Sequence, residues 1–483
     1  MEKQPAKVNY FFHDGYVDFK NTVVETFSEC GSGIRERWDD TKDNFEELVD
    51  SVMGLDIGDI IKYSVLFGLA VGRLLFITIV TPILSLVLSL LQGTAMISVM
   101  IPIYIMFCLM AFADWLYRSV KKISTSCPNC QNKFDLPSYQ CECGAIHTRL
   151  IPSKYGILFR TCNCGRKLRT TFFNGRHKQD GTWICPKCSY ELSGALQVDI
   201  PIPVVGGPSS GKTCFISMAI SQIEKNASTY GLEFNYNPNE ALGDDYESNI
   251  QNMEKGKLPQ KTSDLRLRYY QFYLTPKGER VKNLISICDV AGETYQQNDE
   301  IAKQIGFKNA NAFLIIIDPL SLRKYCDEVG KSIDLSKYGA SDSGIDEVVD
   351  ILINNLQNFN CATPKKMMKT DIAIVFTKCD IPGLADKIGE TAVNEYMKEH
   401  NDATKYEAIN KVCERFLIEY EEENFLNTLK SKFKSIQFFT CSALGHIVDG
   451  SDFDPNGVEE PALWLIDKAS ASINLRQKWG KKI

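Results

Sequence analysis

The feature that most constrains the fold is an uncharged stretch. Residues 74–113 are forty consecutive residues without a charged side chain. A membrane-spanning helix needs about 20 apolar residues, so this stretch is long enough for two crossings. Gln92, Gly93 and Thr94 interrupt it near the middle, which predicts two helices that cross and return as a hairpin. A buried pair of core helices fits poorly with so long an uncharged run, and the mostly polar residues before it exclude a signal peptide.

Positive charges flank this stretch on both sides. Arg73 precedes it, and Arg118 and Lys121 follow it. Since short cytoplasmic segments carry an excess of Lys and Arg, both ends are predicted to face the cytoplasm. The prediction is an integral membrane protein in which residues 1–63 are a cytoplasmic N-terminal helical segment and residues 64–117 are a two-span transmembrane hairpin.

Eight of the seventeen cysteines lie close together, at spacings typical of metal sites rather than disulfides. They form two C-x-x-C pairs and two C-x-C pairs: Cys127, Cys130, Cys141, Cys143, Cys162, Cys164, Cys185 and Cys188. Four thiolates complete a closed tetrahedral Zn²⁺ site, so eight predict two zinc ions in a double zinc ribbon over residues 123–194. Whether the pairs combine sequentially or interleave stays open. His147 is a less favoured ligand, because eight cysteines already suffice.

The ribbon segment is basic, whereas the whole chain is acidic. From Arg118 to Cys188 there are 13 Lys and Arg against 3 Asp and Glu, while the formal net charge of the chain is −6. A basic segment in an acidic chain can bind nucleic acid, an anionic membrane surface or the acidic remainder of the same chain. Because the segment directly follows the membrane stretch, a membrane face or docking within the chain is favoured over nucleic acid.

Four short segments follow along the chain: GGPSSGKT, DVAG, TKCD and SAL, which begin at residues 206, 289, 377 and 442. The first is a phosphate-binding loop, whose glycines let backbone N–H groups converge on phosphates. Lys212 adds a positive charge there, and Thr213 offers a hydroxyl to Mg²⁺. The predicted phosphate-binding residues are Gly206, Gly207, Pro208, Ser209, Ser210, Gly211, Lys212, Thr213 and Cys214. A predicted strand before the loop and a predicted helix after it give the required context.

The other three segments narrow the choice of nucleotide. Asp380 can accept both N1–H and N2–H of guanine but meets no matching donors on adenine. DVAG supplies Asp289 for Mg²⁺ and Gly292, whose N–H senses the γ-phosphate. Each segment follows a predicted apolar strand, and open sheets bind ligands at the carboxyl ends of their strands. We therefore expect GTP or GDP with Mg²⁺, and a base contacted by Thr377, Lys378, Asp380, Ser442, Ala443 and Leu444.

Together these segments resemble the G1, G3, G4 and G5 motifs of the translation-factor and Ras-like (TRAFAC) class of P-loop GTPases. The resemblance implies an α/β fold for residues 195–483: a Ras-like GTPase domain with a mostly parallel sheet, helices on both faces and one antiparallel strand pair. It also implies a switch threonine that binds Mg²⁺ when the γ-phosphate is present, and Thr262 is the predicted one. Lys212, Thr262 and Glu293 are then the expected catalytic residues.

Two residues depart from that family pattern. The TKCD segment, which begins at Thr377, is called the base loop. The family often has an Asn at the position of Thr377, and that Asn connects the base loop to the phosphate loop. Glu293 follows DVAG where Ras-like members often carry a Gln that orients the attacking water. Because a glutamate lacks the amide donor, hydrolysis is expected to be slow or to need a catalytic group from a partner. The sequence supports equally well that Glu293 is a surface residue without a catalytic role.

The cysteine ribbon directly ahead of such a domain is similar to bacterial double-GTPase proteins of conflict or defence systems. The combined prediction is a membrane-anchored, GTP-hydrolysing switch with its ribbons and GTPase domain on the cytoplasmic side, at the inner membrane if the chain is bacterial. Such a switch is expected to act with a protein effector or an activating protein. The sequence leaves open whether the chain forms homo-oligomers. The alternative is a nucleotide-held scaffold whose ribbons recruit nucleic acid or protein. An ATPase and a membrane-remodelling GTPase are further rivals.

Overall fold

The computed structural model divides the chain into two compact units. The first is Met1–Tyr117 with Ser138–Thr182, and the second is Arg118–Pro137 with Trp183–Ile483. The structure describes residues 4–55, 57–127, 130, 132–192, 197–237, 244–255, 257, 268–279, 281–289, 310, 312–335, 338–339, 344–358, 369–433, 435–445 and 453–475.

The described residues form these helices: α1 Asp14–Met53, α2 Ile57–Val120, α3 Lys212–Asn226, α4 Asp244–Glu254, α5 Arg323–Val329, α6 Ile345–Asn358, α7 Ala385–Ile388, α8 Glu390–Glu399, α9 Lys405–Glu419, α10 Glu423–Lys432 and α11 Glu460–Ala469. They form these strands: β1 Thr125–Ser126, β2 Lys133–Phe134, β3 Ser138–Gln140, β4 Ile146–His147, β5 Phe159–Thr161, β6 Lys167–Arg169, β7 Thr182–Ile184, β8 Glu191–Leu192, β9 Gln197–Gly206, β10 Leu232–Tyr236, β11 Arg268–Pro276, β12 Lys282–Asp289, β13 Ala312–Ile317, β14 Asp371–Phe376 and β15 Ser435–Thr440.

The two long helices α1 and α2 make up most of the first unit, and they pack side by side in opposite directions. The hydroxyl groups of Tyr16 and Tyr104 are 3.0 Å apart, whereas the rings of Phe45 and Phe67 meet at 5.4 Å between centroids. Contacts thus pair the start of α1 with the later part of α2, and the end of α1 with the beginning of α2.

The predicted transmembrane hairpin is not present in this structure. α2 is one helix of 64 residues that continues without a turn through Gln92, Gly93 and Thr94. A single glycine inside a helix costs only about 1 kcal/mol relative to alanine, which does not end a long helix. Pro82 and Pro102 also lie inside α2. The prediction that both ends of the apolar stretch face the same side depended on the hairpin and does not follow from one helix.

The N-terminal segment begins as an extended chain rather than as a helix. The Lys7 N–H group donates to Thr161 O at 3.0 Å, and the Asn9 N–H group donates to Lys154 O at 2.9 Å. Residues 1–63, predicted to be helical, therefore include a stretch that lies along strand β5 of the ribbon before α1 begins. This stretch holds the ribbon of the first unit beside the start of α1.

A buried ion pair joins the end of α2 to the same ribbon. Arg176 Nη1 lies 3.1 Å from Asp114 Oδ2 and also donates to the carbonyl groups of Leu150 and Thr170. The Phe172 N–H group donates to Asp114 Oδ1 at 2.9 Å. Because both charged side chains are almost completely buried, their stabilisation comes from each other and from these hydrogen bonds. This part of the ribbon is therefore fixed to α2.

A seven-stranded sheet forms the centre of the second unit, in the order β10-β11-β12-β9-β13-β14-β15. The five strands from β12 to β15 in this order run parallel, which confirms the α/β class. The antiparallel pair β11 and β12 was predicted, whereas β10, which adds a second antiparallel pair, was not. The core on one face combines alternate residues of β13 and β14 with helices α6, α9 and α10. α11 packs on these strands without joining that core, so both faces are covered.

Two prolines lie inside β9, the strand that leads to the phosphate loop. The Asp199 N–H group points away from β12, because it donates to Ser124 O. By alternation, the missing N–H groups of Pro201 and Pro203 face that same side, and β13 pairs with β9 only from Val204 onward. The prolines therefore remove no hydrogen bond from the sheet, and β9 is continuous.

The charged segment from Thr404 to Lys430 contains two helices, α9 and α10. Thr404 caps α9 at its start through a reciprocal pair of hydrogen bonds with Glu407. The helix ends near Glu421, whose φ of 65° is incompatible with a right-handed helix, and α10 starts two residues later.

Candidate nucleotide-binding and metal sites

The predicted nucleotide-binding segments meet at one edge of the sheet. β9, β13, β14 and β15 are parallel, so their carboxyl ends lie together. Hydrogen bonds continue past these ends: the Thr377 N–H group donates to Ile317 O at 3.0 Å, and the Cys441 N–H group donates to Phe376 O at 2.9 Å. The TKCD and SAL segments are thus extensions of neighbouring strands.

The phosphate loop has the backbone geometry that its glycines permit. Gly211 has a φ of 86° immediately before α3, in the region that favours glycine. A Cβ atom on Gly206 would come within 2.7 Å of Ile316 O, so a side chain is excluded there. Lys212 Nζ donates to Gly206 O and Gly207 O, at 2.8 Å each, which aims its charge into the loop. The loop therefore offers the N-terminus of α3 and a buried ammonium group to an anion.

The two predicted Mg²⁺ ligands from different segments lie together. Thr213 Oγ1 donates to Asp289 Oδ2 at 3.2 Å, and Asp289 is buried at the end of β12. Hydroxyl and carboxylate oxygens are the ligands that Mg²⁺ takes in phosphate sites, together with phosphate oxygens and water. The donor set fits the expected ion.

The base loop is tied to the phosphate loop by Thr377. Its hydroxyl donates to Ser210 O at 2.8 Å and lies 3.2 Å from Ile317 O. The shorter threonine therefore makes the connection that the resemblance assigns to an asparagine at this position. This contact fixes the distance between the part of the site that would hold phosphates and the part that would hold the base.

Asp380 and the SAL segment are also in contact. Ser442 Oγ donates to Asp380 Oδ1 at 2.6 Å, and the Gly445 N–H group donates to Ser442 Oγ at 2.8 Å. The Cys379 N–H group donates to Cys441 O at 3.1 Å. The carboxylate of Asp380 is thus oriented by Ser442 while its second oxygen stays available. Ala443 and Leu444 follow on the same half-buried turn.

The sequence prediction missed Asp318, which anchors Lys378. Lys378 Nζ lies 2.6 Å from Asp318 Oδ2 and also donates to Ser209 O at 3.1 Å and Gly339 O at 2.7 Å. Asp318 directly follows β13 and its carboxylate is fully buried. A carboxylate immediately after a buried strand, at the edge where the other segments end, is the signal that would have identified it.

Three predicted residues lie outside the described part of the chain. These are Thr262, Gly292 and Glu293. Their roles in Mg²⁺ binding, γ-phosphate sensing and catalysis stay predictions.

The eight cysteines of the ribbons form two clusters, and the clusters are nested. The outer cluster is Cys127, Cys130, Cys185 and Cys188, and the inner cluster is Cys141, Cys143, Cys162 and Cys164. The first pair along the chain combines with the last, and the second with the third. The arrangement is therefore neither sequential nor alternating. Each cluster belongs to one compact unit, the outer to the second and the inner to the first.

Sulfur distances in both clusters suit zinc. Cys127 and Cys188 Sγ are 3.5 Å apart, and Cys141 and Cys164 Sγ are 3.8 Å apart. Four sulfurs at about 2.3 Å from a tetrahedral Zn²⁺ would be about 3.8 Å from one another, whereas a disulfide bond is far shorter. Both clusters can hold a zinc ion without rearrangement.

Backbone N–H groups prepare some of these thiols to ionise. Donation from the Tyr190 N–H group lowers the pKa of Cys188 to about 6, and donation from the Arg166 N–H group lowers the pKa of Cys164 to about 7. Burial raises the pKa of Cys162 to about 12 in the absence of a cation. Because the thiolate is the metal ligand, Zn²⁺ would have to displace that proton, and binding should release protons.

His147 is not part of either cluster. It is completely buried, and burial lowers its pKa to about 4, with the nearby Arg160 adding to the effect. The imidazole is therefore neutral at physiological pH and belongs to the small core of the inner ribbon.

Paired cysteine variants distinguish the nested arrangement from a sequential one. Cys127→Ser with Cys188→Ser alters one nested site, so the purified chain should retain about one zinc ion of two. Cys127→Ser with Cys143→Ser alters both nested sites and should retain almost none. Elemental analysis of zinc per chain gives the answer, and each double variant is the control for the other. The opposite result, two ions lost in the first variant and one in the second, would establish sequential sites.

Asp318→Asn should weaken nucleotide binding. The substitution keeps the shape but removes the charge that fixes Lys378, and a hydrogen bond to a charged group contributes about 1.5–3 kcal/mol, so an affinity loss of at least tenfold is expected. Binding of a fluorescent GDP analogue measures it. Asp386→Asn, an exposed change on α7, is the control. Unchanged affinity in Asp318→Asn would show that the ion pair does not position the base loop.

Comparison with known proteins shows a similarity to one protein family. The model of the family Double-GTPase 2 (DO-GTPase2) matches residues 200–422. The chain is also similar to the S. cerevisiae Ski7 GTPase-like domain bound to GTP, with 14% identity over 51% of this chain and 43% of that chain, at a TM-score of 0.26. For the same domain bound to GDP and inorganic phosphate the identity is 13%, over 59% of this chain and 51% of that chain, at a TM-score of 0.29.

The chain thus spans about half the length of these solved structures, or less. No curated protein matches it significantly. The family match covers the phosphate loop, Asp289 and the TKCD segment, the parts that the structure brings to one edge of the sheet. Residues 200–422 are therefore similar to the Double-GTPase 2 family over the part of the chain that carries the phosphate loop.

Proposed function

We propose that the protein is a membrane-anchored molecular switch that binds GTP and hydrolyses it to GDP and phosphate. The observation that carries this proposal is the contact of Thr213 with Asp289 beside Lys212. It supplies a magnesium-binding pair next to a phosphate-binding loop. Thr377 connects the same loop to Asp380, the guanine-reading carboxylate. Phosphate, metal and base contacts are thus within reach of one nucleotide.

Hydrolysis and switching would depend on residues outside the described part of the chain. Thr262 would bind Mg²⁺ only with GTP, and Gly292 would contact the γ-phosphate. Glu293 carries no amide donor, which supports slow turnover without a partner. An activating protein, or a second copy of the chain, would supply the missing catalytic group.

Membrane anchoring is supported by α2. An 18-residue segment of α2 has a mean hydropathy of 2.6, and only 6% of that segment is buried. Large apolar side chains such as Phe76, Leu90 and Leu109 are more than half exposed. Exposure of so large an apolar surface is unfavourable in water, whereas it is favourable in lipid. The GTPase domain would then face the cytoplasm, where GTP is available.

A role in bacterial signalling or defence is the broader part of the proposal. It is supported by the match to a double-GTPase family and by the cysteine clusters ahead of the GTPase domain. The competing proposal is a scaffold that keeps its nucleotide without turnover and uses the ribbons to recruit protein or nucleic acid. The absence of a glutamine after DVAG favours it.

Asp380→Asn should change the base preference. Guanine donates N1–H and N2–H to a carboxylate, whereas xanthine has a carbonyl group where guanine has its amine, which suits an amide. GTP affinity should fall at least about a hundredfold while xanthosine triphosphate binds better than in the parent chain. Competition binding measures both, with Asp386→Asn as the control. GTP binding as tight as in the parent would refute the role of TKCD in base recognition.

The switch itself is tested by hydrogen exchange with GDP and with a non-hydrolysable GTP analogue. Residues 253–264 should be protected more strongly with the analogue, because Thr262 would close on Mg²⁺. Thr262→Ala should keep GDP affinity but lose this difference and most of the turnover. Glu293→Gln should leave turnover unchanged or raise it. Identical protection with both nucleotides, together with no measurable turnover, would favour the scaffold.

A further inference from the structure

The β5–β6 hairpin of the first unit has an outward face that combines aromatic and cationic side chains. Phe159 pairs with Arg169, and Thr161 pairs with Lys167, so these four residues lie on one face. The opposite face is buried, as Leu168 shows with 1% exposure. Phe159, Lys167 and Arg169 are exposed.

Phe173 extends this face toward α2. Its side chain is 60% exposed. Leu158 O accepts hydrogen bonds from the Thr170 N–H group at 3.1 Å and from Asn174 Nδ2 at 2.9 Å, which holds the segment around Phe173 against the hairpin. Phe159, Lys167, Arg169 and Phe173 together form the ribbon face.

The ribbon face adjoins the end of the apolar stretch of α2. The rings of Tyr117 and Phe173 are 6.1 Å apart, and Tyr117 stacks on Phe172 at 3.8 Å. On α2 itself, Phe112 and Trp115 are more than half exposed. Aromatic side chains are enriched at the level of lipid headgroups, where one end of the ring is in an apolar and the other in a wet environment.

Charge on this part of the ribbon is positive and partly unneutralised. Between residues 138 and 182 there are eight Lys and Arg against two Asp and Glu. Arg176 is paired with Asp114 and Arg166 with Glu142. Neither Lys167 nor Arg169 forms an ion pair with a carboxylate of the described residues. These two cations are available to an anionic surface.

We propose that the ribbon face docks on the headgroup region of an anionic lipid bilayer, with Phe159 and Phe173 at the interface and Lys167 and Arg169 on lipid phosphates. This inference rests on the proposed anchoring by α2, which brings the ribbon to the bilayer. Aromatic and cationic residues also suit single-stranded nucleic acid. Continuity with the end of α2 favours the bilayer, because the same helix that enters lipid fixes the position of the ribbon.

The test uses the full chain reconstituted in lipid nanodiscs, either phosphatidylcholine alone or an equal mixture with phosphatidylglycerol. Hydrogen exchange of residues 157–175 should be slower in the anionic discs, and high salt should abolish the difference. Each basic residue near an anionic surface strengthens binding roughly fivefold, so Lys167→Glu with Arg169→Glu should reduce the protection by at least about tenfold. Lys398→Glu with Lys432→Glu, exposed residues of the GTPase unit, should leave it unchanged.

Two further measurements separate the possible failures. Flotation with carbonate-washed liposomes reports anchoring by α2 in every variant, and zinc content reports that the ribbon is folded. A chain that does not float overturns the anchoring proposal and this inference with it. A chain that floats, but whose exchange is equal in both lipids and in the charge-reversed variant, overturns the docking alone. Protection of residues 157–175 by single-stranded DNA, but not by anionic discs, would instead identify a nucleic-acid surface.

Discussion

The candidate site depends on one cation, the ammonium group of Lys378. It contacts a carbonyl oxygen of the phosphate loop, the carboxylate of Asp318 after β13, and the carbonyl oxygen of Gly339. With a side chain only 17% exposed, Lys378 relies on these oxygens rather than on water to stabilise its charge. Its backbone is held at a φ of 55°, a conformation that costs energy and persists only where the surroundings enforce it. These contacts join the base loop to the phosphate loop and to the segment that follows β13.

The outer cysteine cluster belongs to the same compact unit as this sheet, and it is connected to the strand that ends in the phosphate loop. The Ser126 N–H group donates to the Asp199 carboxylate of β9, and the Asp199 N–H group donates to Ser124 O. Burial raises the pKa of Asp199 to about 6. A zinc ion held by Cys127 would fix the backbone just after these contacts. A zinc ion in the outer cluster would thus stabilise the segment that contacts β9.

The sequence supports specific predictions where function requires a local pattern. The phosphate loop, Asp289 and the TKCD segment are identifiable because a few adjacent residues must present particular atoms to a ligand. The sequence left the outcome open where it depends on segments far apart in the chain. Cys127 and Cys188 are 61 positions apart in the sequence but lie in the same cluster. The spacing of the cysteines does not determine which of the possible combinations of pairs forms a site. Asp318 was missed for a related reason: a single aspartate after a strand has meaning only once the neighbouring strand ends are known.

α2 shows that an apolar composition does not by itself predict the shape of a segment. A continuous helix satisfies every backbone hydrogen bond internally, whereas a turn within lipid would expose unsatisfied groups, so nothing forces a break at Gly93. The apolar stretch is then about 60 Å long, twice the hydrocarbon thickness of about 30 Å, so in a bilayer it would have to tilt, bend or lie partly outside the hydrocarbon region. α1 adds a second constraint, because it packs along α2 and carries charged residues such as Arg37 and Asp40 on its exposed side. If α1 stayed packed along the part of α2 that crosses the bilayer, its charged outer side would face lipid. Anchoring therefore requires α1 to lie at the membrane surface or to separate from α2.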